Sequence, residues 1–75
     1  MQRKQQLQIE RLRRGWSQQQ LSAKTGVAQS DLSAIENGRR APGSGWRRRI
    51  AEVFGVPESS LFRDADPTET AAEKP

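Results

Sequence analysis

The stretch "WSQQQLSAKTGVAQSDLSAIENG", Trp16 to Gly38, decides the fold. Ser17 followed three residues later by Gln20 is a capping box, in which the hydroxyl accepts from the N3 amide and the glutamine reaches back to the cap amide. It marks a helix start, with Trp16 placed to staple onto Leu21. The helix is predicted to end near Thr25, because Gly26 is free to take the left-handed conformation. A second helix, "QSDLSAIE", follows almost at once with Leu32 and Ile35 on one side. Two helices of about eight residues, joined by a glycine-containing turn of three or four, describe a helix-turn-helix unit. In such a unit the second helix is the one placed in a DNA major groove.

Outward from this corner, β-branched runs with alternation are missing and the apolar residues recur at helical spacings. Helix 1 is predicted from about Gln2 to Arg14, carrying Leu7, Ile9 and Leu12 and closed by Gly15. After Gly38, "RRAPGSG" reads as a loop from its Gly and Pro content. Helix 4 is predicted from about Gly45 to Phe54, with Trp46, Ile50, Val53 and Phe54 on one face and Ser44 as its cap. "VPESSLF" is predicted to form a fifth, short helix that sets Leu61 and Phe62 on the core. The expected architecture is therefore all-α, a compact five-helix domain over residues 1–63. Residues 64–75 follow as a tail, acidic and nearly without large apolar residues, whose composition predicts disorder.

Charge follows the same division. Residues 1–63 hold 12 Lys and Arg against 5 Asp and Glu, a balance of +7, while residues 64–75 hold 1 against 4, a balance of −3. The basic part prefers polyanions, nucleic acid foremost. A chain of 75 residues forms one domain at most and buries only about 60% of its unfolded surface, so a partner helps to stabilise it. No cysteine and no histidine occur, which removes disulfides and the ordinary structural zinc sites and fits a reducing cytoplasm. No apolar run approaches the roughly 18 residues of a membrane span, and the N-terminus lacks the apolar centre of a signal peptide. A cytoplasmic protein with no membrane contact, metal or cofactor is expected. Without His, Cys, a Gly-rich phosphate loop or grouped carboxylates, no nucleophile and base can be paired, and an enzyme is not expected.

The segment "GWSQQQLSAKTGVAQSDLSAIENGRRAP" resembles the Xre/Cro-type helix-turn-helix family, the lambda-repressor-like DNA-binding domains of lambdoid phage repressors and many small bacterial regulators. The resemblance spans roughly residues 5–62. It rests on the joint spacing of Ser17-Gln18, Leu21, "TGV", "IENG", Pro42, and "IAEVFGV" before "LF". It implies that Ser17 and Gln18 face DNA phosphate at the start of helix 2, with Gln18 also bracing the first residue of the recognition helix. By the same likeness Gln29 reads a base edge, and a glutamine can pair bidentately with adenine N6 and N7. Ser30, Ser33 and Ala34 match further groove-facing positions. Asp31, near the start of that helix, can favour the helix dipole or accept from a cytosine N4, but repels phosphate. Asn37 is implied to touch the DNA backbone, Arg39 and Arg40 to hold phosphates, and Arg11 and Glu36 to tie helix 1 to helix 3 as a structural pair. Ala28 departs from the family where a capping Ser or Thr is common. Arg47 stands where a buried leucine is usual and Ser44 where an apolar residue often is, so early helix 4 is expected to pack atypically.

The implied function is that of a sequence-specific double-stranded DNA-binding transcription regulator, a repressor acting as a homodimer on a near-palindromic operator, with the helix 4 and 5 region as the interface. The alternative is an antitoxin or adaptor whose helix-turn-helix mainly contacts a partner protein. Trp16 and Trp46 suggest base stacking, yet both fall at apolar positions of helical patterns and so belong to the core. Arg47, Arg48 and Arg49 crowd the positive end of a helix, which points to phosphate, to a partner's acidic surface or to plain solvation. The acidic tail either folds back on the basic face or stays solvated.

Overall fold

The computed structural model describes residues 4–64. Four α-helices follow in order: α1 (Gln6–Arg13), α2 (Gln18–Thr25), α3 (Gln29–Glu36) and α4 (Ser44–Phe54). The expected fifth helix is instead a single 3₁₀ turn, Glu58–Ser60. Its bonds, from Ser60 N–H to Pro57 O and from Leu61 N–H to Glu58 O, are both 3.0 Å. One such turn after a proline is too short to carry an α-helix. Leu61 is nevertheless fully buried and Phe62 half-buried, both beyond the turn.

The predicted capping box of α2 is present in full, Gln20 N–H to Ser17 Oγ at 3.0 Å and Ser17 N–H to Gln20 Oε1 at 2.8 Å. At α4 the cap is Gly43 and not Ser44. The loop enters the helix one residue earlier than expected, so the Ser44 hydroxyl sits inside the first turn, and no side chain caps it. Helix α1 also starts later than its glutamine-rich sequence suggests. Gln5 is extended and donates to Glu36 O at 2.8 Å, while Gln6 N–H reaches Arg63 O at 2.8 Å and Leu7 N–H reaches Leu61 O at 2.9 Å. Two of the first-turn amides that every helix leaves open, those of Gln6 and Leu7, are thus satisfied by carbonyls of residues 61 and 63. Gln5 and Asp64 form an isolated antiparallel bridge, so Asp64 belongs to the folded part. The rest of the expected tail, 65–75, lies outside the described residues.

Leu7, Leu21, Val27, Leu32, Ile35, Ile50, Ala51, Phe54 and Leu61 form one buried cluster. Trp16, Trp46, Val53, Val56 and Phe62 pack on its margin, and the Trp16 and Phe54 rings are 5.1 Å apart. The tryptophans are therefore core-edge residues. Leu12 is 57% exposed and contributes nothing to this cluster.

Arg47 is half-buried at the position where the resembled family usually carries a buried leucine. It places its guanidinium 5.5 Å from the Phe62 ring centre and its Nε 3.3 Å from Glu58 Oε1. A long stem covering apolar surface with its charge at the rim is how an arginine fills such a place. The other two arginines of the triplet have different surroundings. Arg49 donates to Thr25 O at 3.4 Å, at the carbonyl end of α2. Arg48 is exposed and, among the described residues, has no side-chain partner.

Candidate nucleic-acid interface

The corner between α2 and α3 is held by short side chains bonding to the backbone. Thr25 Oγ1 donates to Leu21 O at 2.8 Å and accepts from Val27 N–H at 3.2 Å. Ser22 Oγ donates to Val27 O at 2.6 Å. Gly26 has φ +76°, a conformation costly for any residue with a Cβ, and Val27 is buried as the anchor of the turn. The angle between the two helices is fixed from both sides of that glycine.

Helix α3 buries Leu32, Ile35 and Glu36 and leaves Gln29 and Ser30 exposed, with Ser33 and Ala34 half-buried. At about 100° per residue, Gln29, Ser33, Asn37, Ser30 and Ala34 fall in sequence across an arc of about 140°. None carries a formal charge or a long stem, so a neighbouring polyanion can approach this face closely. Gln29 and Ser30 have no side-chain partner among the described residues. Asp31 lies about 60° past Ala34, at the edge of the arc, and its Oδ1 accepts from Arg40 Nη1 at 2.6 Å. It is paired with the very arginine expected to hold phosphate.

The remaining expected residues surround this face. Ser17 Oγ is committed to its cap, and the Asn37 amide donates to Ser33 O at 2.8 Å. Arg39 is exposed and, among the described residues, its side chain has no partner. Gln18 Nε2 donates to Glu36 Oε1 at 3.0 Å; its brace falls at the C-terminal end of α3 and not on Gln29. That oxygen also accepts from Arg11 Nη2 at 3.1 Å, while Glu36 Oε2 accepts from Arg11 Nε at 2.7 Å. Arg11 Nη1 donates to Trp16 O at 2.7 Å. One buried carboxylate therefore gathers α1, the start of α2 and the end of α3. A bidentate guanidinium and an amide satisfy its oxygens.

Two sets of cation–ring contacts have no counterpart in the sequence reading. Trp46 seats Arg40, with the guanidinium carbon 5.1 Å from its ring centre. Arg14 lies 4.7 Å from the Phe54 ring centre and 5.8 Å from that of Trp16, and donates to Phe54 O at 3.2 Å. Neither has a sequence signal, since cation and ring come from distant segments.

A corner of two eight-residue helices, the second exposing a close-approach face beside free and paired arginines, defines a helix-turn-helix DNA-binding domain. The family description "Helix-turn-helix", of the Xre/Cro/C1 type, matches residues 7–61, and the chain belongs to that family of DNA-binding regulators. No curated protein and no solved structure matches it significantly. Among the described residues no helix is long and apolar enough to cross a membrane.

Proposed function

We propose that the protein is a cytoplasmic repressor that binds a near-palindromic operator as a homodimer, with α3 in the major groove. The observation that carries this reading is the uncharged arc of α3 with Gln29 and Ser30 unpartnered. Gln29 and Ser30 read base edges, Ser33 supports them, and Ala34 rests on a thymine methyl. Ser17 and Gln18 at the start of α2, with its dipole, together with Asn37 and Arg39, hold the backbone. Arg40 joins them on the operator after leaving Asp31. One copy makes few base contacts, so discrimination comes from two half-sites about one helical turn apart.

Selection of bound sites from random duplexes tests this directly, because it reports preference, palindromy and spacing together. Gln29→Ala should then weaken operator binding by about 1 to 3 kcal/mol and relax preference at one base pair. Arg39→Ala should weaken all duplexes alike and lower the salt slope by about one. Equal losses on random and selected DNA for both variants would count against Gln29 as a base reader.

A further inference from the structure

Arg40 is held by two contacts of different kinds. Its Nη1 is 2.6 Å from the Asp31 carboxylate in the first turn of α3, and its guanidinium lies 5.1 Å from the ring of Trp46 at the start of α4. Charge and aromatic face together fix the loop arginine against the edge of α3. The pair carries no net charge, although it sits beside the face that meets DNA.

We infer that Asp31, acting through Arg40, is a specificity-determining residue: it holds one loop cation away from phosphate and so keeps sequence-independent affinity low. This rests on the reading of α3 as the recognition helix. Non-specific grip grows with the number of phosphates neutralised, each adding about 0.9 to the slope of log affinity against log salt. On an arbitrary duplex, loosely docked, Arg40 gains little by exchanging a carboxylate at hydrogen-bond distance for a phosphate, and leaving would strand the acid beside the backbone. Only the fully seated complex, formed where Gln29, Ser30 and Ser33 find their bases, brings a phosphate close enough to open the clasp. Asp31 lies about 60° outside the arc of those side chains, and its Oδ1 is engaged by Arg40. It is thus a positioning residue.

The test is Asp31→Asn in the full chain, titrated against a random duplex and a selected site between 50 and 200 mM salt. On the random duplex the slope should steepen by about 0.9, an extra tightening of about three- to fourfold from 200 to 50 mM. The selected site should gain less, so the specificity ratio falls while the preferred bases stay the same. Arg40→Ala alone should leave the random-duplex slope unchanged, and Asp31→Asn added to it should not steepen that slope. An unchanged slope for Asp31→Asn overturns the inference, as does a slope lowered by about one in Arg40→Ala. Loss of a cytosine preference would make Asp31 a base reader instead, and a lower melting temperature with weaker binding of both duplexes would make it a loop pin. If the unaltered protein binds no duplex, the recognition-helix reading falls as well; if it selects sites normally, only the inference about Asp31 is at stake.

Discussion

Glu36 shows how one side chain sets the placement of a surface it never touches. Its carboxylate is fully buried and accepts from Arg11 twice and from Gln18 once. Glu36→Ala should leave the Arg11 guanidinium buried without its counter-ion, a loss of about 3 to 5 kcal/mol, a large share of the stability of so small a domain. Thermal melting without DNA reads this directly; an unchanged midpoint would mean the pair is dispensable. Replacing both partners, Arg11→Met with Glu36→Leu, should recover much of the loss, because no charge is then stranded. The likeness to a known family brought this pair to attention, and composition alone would not have done so. A lone Glu among apolar neighbours has no pattern of its own until the fold brings Arg11 across 25 positions of sequence.

At the scale of elements, what was legible obeyed local rules. The α2 cap depends on residues three apart, and α3 was read from Gln29 to Glu36 because its apolar spacing and following glycine lie within one short window. Helix α3 closes with Gly38 N–H on Ile35 O and Arg39 N–H on Ala34 O, a left-handed glycine ending that also aims Arg39 out of the helix. The start of α1 was not legible, since carbonyls of residues 61 and 63 satisfy its first amides. Helix α1 holds its own charge cluster: partial burial works to raise the Glu10 carboxyl, but hydrogen bonds from Arg14 and Gln6 and the charges of Arg13 and Arg14 keep it below its ordinary value of 4.5. A depressed carboxyl stabilises the fold fully above its unfolded value, and that contribution disappears as pH falls through the lower folded value. Glu10→Gln should therefore lower the melting midpoint by a few degrees at neutral pH. The gap between variant and parent should close only below about pH 4.5, and a gap independent of pH would assign the effect to packing instead.

For the whole molecule, the balance of +7 over residues 1–63 and the few short side chains on the uncharged arc of α3 set opposite demands on the proposed operator reading. Charge supplies affinity for any duplex, whereas four short side chains distinguish few base pairs. The proposed homodimer would meet both demands by doubling the contacts on a palindrome, and two chains per operator are then expected from gel-shift stoichiometry and sedimentation of the complex; one chain per site would exclude the dimer. The sequence showed that cations surround an uncharged helix but not how they are divided, because pairing depends on tertiary neighbours. Of Arg39, Arg40, Arg47, Arg48 and Arg49, only Arg39 and Arg48 are left without a side-chain contact among the described residues. The formal charge thus overstates the number of cations ready to meet phosphate. The bridge between Gln5 and Asp64 brings the two ends of the described residues side by side, next to the carbonyl end of α3. A segment bounded by these two positions should consequently be graftable as an insert into a surface loop of a host protein, the host's backbone entering and leaving at one spot. The junction would then stand about 10 Å along the helix axis from Gln29, at the opposite end of α3.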